Sequence, residues 1–201
     1  MSSENKLPST ARIESFSDGV IAIIITVMVL ELRLPDNVYA THSLLAIVQL
    51  VTPKILVYML SFLMGAIMLV NHHAVMRLAP HATTPLYWWN AHLLFWLSLI
   101  PFSTSTMGTN PLEPSAVAFY GAILGLNGFA FTMLHRYVSQ RGVARGLATL
   151  RTRSVIIKDA VSTSLYLASI PLAYVSVFLS DAIFVAIAAA YFLPEFELDE
   201  G

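Results

Sequence analysis

Long apolar runs separated by short polar breaks dominate this chain, and none of them shows the two-residue alternation of a half-buried strand. The first run extends from Ile13 to Leu34 and is closed by Pro35. The second begins at Leu44, continues to Val70 and contains Pro53-Lys54. A proline fits the first turn of a helix, where its missing N–H costs nothing. The pattern therefore predicts a short interfacial helix at Leu44–Val51 and a span at 53–77. Further spans are predicted at about 86–106 with a kink at Pro101, at 114–138, at 154–179 with Pro171 inside, and at 181–193 before Pro194. Together with 13–34 these make six crossings, five of them at or above the ~20 residues that a bilayer core requires and the sixth short. No repeat of about 20–50 residues is visible, so 1–201 reads as one domain.

Composition agrees. Apolar residues make up 57% of the chain and charged residues 11%, against about 25% charged in a soluble domain. Mean hydropathy is +0.71. The expected fold class is an all-α integral membrane protein. Zero cysteines exclude disulfides and thiolate chemistry. A net charge of −1 offers no electrostatic basis for binding nucleic acid. Neither GxxxxGK[ST] nor a GxGxxG after a strand is present. No HExxH spacing appears among the histidines and acids, so neither an enzyme nor a cofactor is expected. The first apolar run carries Asp18 and is followed by no small-residue cleavage site, unlike a signal peptide.

Basic residues set the expected orientation. Arg141, Arg145, Arg151 and Arg153 lie between spans four and five, with Arg136 and Lys158 at the edges. Lys6 and Arg12 precede span one, and Arg77 follows span two. The other side holds Arg33, Lys54 and little else, so both termini are expected in the cytoplasm of a multi-pass cell-membrane protein. The arginines lack the every-third-residue spacing of a voltage sensor.

Ionisable groups are costly inside a membrane helix, yet span one carries Arg12, Glu14, Asp18 and Glu31. Arg12 and Glu14 can reach the interface; Asp18 lies deeper and should face protein or water. Ser15, Gly19, Ala22 and Thr26 form a small-residue stripe that permits close helix approach. Phe16, Ile23, Val27, Leu30 and Leu34 form a bulky stripe beside it. On composition alone, the bulky stripe meets lipid and the small one a neighbouring helix.

The set Arg12-x-x-x-Phe16-Ser17-Asp18 resembles the start of the first span in the transmembrane protein 175 family of endosomal and lysosomal potassium channels. Asn71-His72-His73, Trp89-Asn90 and Pro101-Phe102 fit the same resemblance, which covers nearly the whole chain. It implies a six-helix subunit, a homotetramer, and a pore lined by the first helix and narrowed by apolar side chains, with no carbonyl filter. No TVGYG-like segment occurs. By position after the motif, Ile23 corresponds to the constricting isoleucine, Leu30 to a second apolar ring, and Thr26 to a position linked to selectivity. Val27 is added by helical spacing. The Thr26 hydroxyl has two open readings: ion contact, or a bond back to the Ala22 carbonyl. Potassium is the expected conducted ion, with transient pore ions the only metal.

Six spans bring Ser17 and Asp18 to the depth of Asn71, His72, His73, Trp88, Trp89 and Asn90. A polar network holding the first helix in register is expected from Arg12, Phe16, Ser17, Asp18, His72, His73 and Asn90. Metal binding by His72-His73 is disfavoured, since adjacent helical residues point about 100° apart; a proton relay through Asp18 and histidine is the other sharper reading. Gly121-x-x-x-Gly125 with Gly128 permits close packing against a helix of either the same or another subunit. Tyr87, Trp88, Trp89 and Tyr191 suit interfacial anchoring, and Glu195, Glu197, Asp199 and Glu200 form an acidic tail. The rival function is a secondary cation or proton-coupled transporter, given the prolines inside spans three and five.

Overall fold

The computed structural model describes residues 9–33, 43–143 and 150–192. Regular structure in these residues is entirely helical. Helix α1 (Ala11–Val27) continues into a 3-10 turn, Met28–Glu31. It is followed by α2 (Leu44–Met76), α3 (Thr84–Ser98), α4 (Ile100–Thr109), α5 (Pro114–Val143), α6 (Leu150–Ala173) and α7 (Val177–Phe192). Four helical stretches are long and apolar enough to cross a membrane: Ala11–Glu31, Leu44–Met76, Pro114–Gly142 and Val155–Ala173. The α3–α4 pair and α7 are shorter.

Three expected boundaries move. Helix α2 is continuous over 33 residues, with Pro53 inside it and no separate helix at Leu44–Val51. Its start is fixed by Ser43, whose Oγ accepts the Ala46 N–H. In the turn that Pro53 weakens, the Thr52 hydroxyl donates to the Val48 carbonyl at 2.7 Å, a side-chain bond of the kind that lets membrane helices tolerate proline. The kink expected at Pro101 is a break at Leu99, with Pro101 seated in the first turn of α4. The break between the last two helices lies at 174–176, not at Ser180. Pro171 supplies no N–H, and two residues later the chain winds into tight turns. Val175 N–H donates to the Leu172 carbonyl at 2.9 Å, as does Ser176 N–H at 2.8 Å. Ser180 and Asp181 consequently lie within α7, where the Ser180 hydroxyl donates back to the Ser169 carbonyl at 2.8 Å.

Helix α5 is the centre of the bundle. In its most apolar stretch 67% of residues are buried, against 28% in the first span and 17% in α2. Its glycines face α6. A Cβ on Gly125 would lie 2.7 Å from Leu167 Cδ2, and one on Gly128 would lie 2.7 Å from Thr163 Oγ1. At Gly121 it would collide with the Ser169 hydroxyl. The glycine stripe is therefore used within the subunit. Hydroxyls of Ser61, Thr104 and Tyr120 join α2, α4 and α5 through bonds of 2.8 and 2.9 Å. Helix α1 stands at the margin: it packs on α2 and α3, touches α4, and reaches none of α5, α6 or α7 among the described residues.

Candidate functional site: the outward face of the first helix and its polar anchor

Helix α1 divides sharply by exposure. Ile13, Ser17, Ile21, Ile24 and Met28 are buried against the rest of the chain. Both stripes read from the sequence lie on the opposite, open side. Phe16 and Ile23 are each 62% exposed, Leu30 is 59% exposed, and Val27 is also exposed. Ser15, Gly19, Ala22 and Thr26 are open as well. A Cβ added at Gly19 would meet nothing within 4 Å. At Gly19 the small-residue stripe therefore has no neighbour among the described residues. The Thr26 hydroxyl lies 2.9 Å from the Ala22 carbonyl and 3.0 Å from that of Ile23. Its hydrogen is directed to the backbone, and its oxygen remains an acceptor.

The buried side is held by a polar joint. Consecutive helical residues diverge by about 100°, so Ser17 and Asp18 engage different partners, as do His72 and His73. Asn90 Nδ2 donates to Ser17 Oγ at 2.8 Å, and Ser17 can then give its own hydrogen to the Ile13 carbonyl at 2.8 Å. Asn90 Oδ1 lies 2.8 Å from His72 Nε2. Since that oxygen only accepts, His72 carries its proton on Nε2. Ser17, His72 and Asn90 are all buried. The second arm is more open: His73 Nε2 donates to Asp18 at 3.0 Å, with the side chains 41% and 38% exposed.

The expected set is thus brought together with two exceptions. Arg12 is exposed and makes no hydrogen bond or ion pair among the described residues. It is six residues from Asp18, more than a turn and a half along the helix, and the carboxylate is taken by His73. Phe16 is exposed and makes no polar contact. Arg12 and Phe16 border an open groove with Tyr87, Trp88 and Asn90, beside the joint and not within it. Arg145 and the acidic tail lie outside the described residues, as does Leu34.

A second polar cluster escaped the sequence reading. His135 on α5 and Asp159 on α6, each 3% exposed, meet at 2.7 Å through His135 Nδ1 and Asp159 Oδ2. Tyr191 of α7 donates its hydroxyl to Asp159 Oδ1 at 2.8 Å. Tyr191 is therefore an intrasubunit partner, not simply an interfacial anchor. A usable signal was present: His135 and Asp159 lie at similar distances from the Arg-rich connection, where an antiparallel hairpin pairs them.

Comparison with known proteins follows this geometry. Residues 12–101, which include the joint and the open face, match the family described as endosomal/lysosomal potassium channel TMEM175. A protein named a potassium channel from Chryseobacterium sp. (strain P1-3) is 41% identical over 127 residues, 63% of this chain and 64% of that one. One so named from Chamaesiphon minutus is 29% identical over 190 residues, 92% and 94% of the two chains. One from Streptomyces collinus is 28% identical over 137 residues, 66% of each. The match thus spans just under two thirds of the first and third relatives and nearly all of the second. The crystal structure of a lysosomal potassium-selective channel TMEM175 homologue from Chamaesiphon minutus superposes with a TM-score of 0.80 at 27% identity, covering 90% of this chain and 95% of that chain. The Arg12-to-Asp18 motif, the all-helical fold and these matches agree in their direction: the chain is similar to the TMEM175 family in sequence over residues 12–101 and in fold over 90% of its length.

Proposed function

We propose that the protein is a potassium-conducting cation channel of the cell membrane, with both termini cytoplasmic. It acts as a homotetramer in which four copies of α1 surround one pore. The observation that carries this reading is the open face of α1. A helix that buries one side and leaves both a bulky stripe and a small-residue stripe open among the described residues is suited to meet further copies of itself. Small residues at 15, 19, 22 and 26 permit close approach of those copies. Ile23, Val27 and Leu30 form the constriction, and no carbonyl filter is used. The four Thr26 oxygens offer acceptors to a partly dehydrated ion. The Ser17–Asn90–His72 joint sets the rotation of α1, and so decides which residues face the axis. The relatives named as potassium channels support the choice of ion. The partners are other copies, lipid and monovalent cations; no cofactor or catalytic step is part of the reading.

Single-channel recording of Ile23→Asn tests it. Amides at the driest level should hydrate the waist, raising conductance and open time and lowering discrimination between potassium and sodium. If Ile23 faces lipid, expression falls and well-folded channels conduct as before, which would overturn the assignment. The break at Leu99 favours one rival, a secondary cation or proton-coupled transporter, since broken helices build transport sites. Absence of unitary currents from pure reconstituted protein would decide for it.

A further inference from the structure

A cavity of about 60 Å³ lies between α2, α5, α6 and α7, away from the open face of α1. A site of this size accommodates a few water-sized particles. Its wall is mainly apolar, with Met64, Leu124 and Phe131 among the lining residues. The polar lining residues are Asn71, Asn127, Asp159, Ser162 and Thr163, with the Tyr166 and Tyr191 hydroxyls turned to Met64 Sδ and Asp159.

Two features of these oxygens point to a ligand. Asn127 is 3% exposed, and its Oδ1 has no hydrogen-bond partner. A buried acceptor without a donor destabilises the fold unless something else satisfies it. Asp159 is equally buried. Its carboxylate accepts one bond from His135 and one from Tyr191, and each oxygen has capacity for a second. The Thr163 hydroxyl gives its hydrogen to the Asp159 carbonyl at 2.8 Å, which leaves its oxygen as an acceptor. Among the described residues no lysine or arginine lines the cavity. Lys158 does not line it; its ammonium lies 4.5 Å from the centre of the Tyr191 ring. The site therefore offers one carboxylate, several oxygen acceptors and the amide groups of Asn71 and Asn127. An anion would be repelled by the buried carboxylate, and a divalent ion would keep one charge uncompensated in a low-dielectric interior. With His135 neutral, water would satisfy Asn127 without balancing Asp159, whereas a single small monovalent cation does both; with His135 charged, the pair is already balanced and water suffices.

We propose that this cavity is a monovalent alkali-cation site, one per subunit and separate from the conduction path. Its ligands are the Asp159 carboxylate, Asn127 Oδ1 and the hydroxyl oxygens of Ser162 and Thr163. The ion ties α5 to α6, while Tyr191 brings α7 to the same carboxylate. The role is structural and does not depend on the pore reading.

The test uses purified full-length protein in detergent. Melting is followed by tryptophan fluorescence in potassium, sodium or N-methylglucamine chloride at equal ionic strength. Wild type and Thr26→Val should both melt ~3 °C higher in an alkali cation than in N-methylglucamine. Asn127→Leu keeps the volume and removes the unpartnered oxygen. It should melt at least as high as wild type in N-methylglucamine and lose the alkali-dependent rise. Wild-type melting independent of the cation would overturn the proposal, because water, or a charged His135, then suffices. An equal rise in Asn127→Leu would also overturn it, placing the stabilising ion elsewhere. Thallium substituted for potassium in crystals gives a second readout. An anomalous peak between α5 and α6 is expected, and peaks confined to the α1 axis would refute the site.

Discussion

Asn90 donates to Ser17 and accepts from His72, so one amide holds α1, α2 and α3 in a single rotational setting. Asn90→Leu leaves two buried polar groups without their partner and should cost about 1–3 kcal/mol. Asp18→Asn should cost less, about 0–1 kcal/mol, because the Asp18–His73 pair is more than a third exposed and screened by solvent. Thermal melts of the two variants in one detergent check the order; a larger loss for Asp18→Asn would show that the open arm dominates. Arg12→Ala should leave the subunit's own stability unchanged, since Arg12 makes no bond among the described residues. The joint was legible because six antiparallel spans place Ser17, His72 and Asn90 at one depth. The outer position of Arg12 was not, because sequence spacing alone does not show that His73 reaches the carboxylate first.

At the scale of elements, two glycines on different helices separate packing within a subunit from packing between subunits. Gly125→Leu drives a side chain into Leu167 of α6 and should destabilise the subunit by about 1–3 kcal/mol. At Gly19 an added Cβ meets nothing within 4 Å among the described residues, so Gly19→Leu has open space there. It should leave the folded subunit intact while abolishing the proposed tetramer, with native mass spectrometry reading the assembly state. A tetramer unaffected by Gly19→Leu would exclude the small-residue stripe from the interface. The sequence showed both stripes but could not assign either partner, since close approach needs only small residues and does not name the helix that approaches. The break at 174–176 was hidden for another reason. Tyr174, Val175, Ser176 and Val177 continue the apolar run, and only Pro171 warns of the end, several residues early. Pro53 misled in the opposite sense, because Ser43 had already started the helix.

Across the whole molecule, α5 fixes the topology. Its 30 residues span about 45 Å, enough to carry its ends to opposite faces of a bilayer. The native chain has no cysteine, so single cysteines at the exposed positions Asn110 and Gln140 give a clean background. Membrane-impermeant maleimide should label Gln140→Cys only from the cytoplasm and Asn110→Cys only from outside. Labelling of both from one side would exclude the six-span arrangement. The overall fold class was the most legible property, because it rests on summed hydropathy and not on any single contact. The His135–Asp159–Tyr191 cluster, which depends on three helices meeting at one carboxylate, was the least.

The 3-10 turn at Met28–Glu31 gives the outer end of α1 a change of thread. Three residues advance the α-helix by about 300° and 4.5 Å, but the 3-10 helix by about 360° and 6 Å. Leu30 therefore stands almost directly above Val27, and rewinding this one turn into α geometry would swing it by about 60° and draw it in by about 1.5 Å. The rewinding need not disturb Ile23 or the Ser17–Asn90 joint. The wound form is braced from outside the helix: Arg33 Nε donates to the Leu30 carbonyl at 3.2 Å, and Lys54 Nζ donates to the Arg33 carbonyl at 2.9 Å. Lys54→Met removes the outer brace. If the thread acts as a screw valve, that variant should change open probability while leaving unitary conductance as it was.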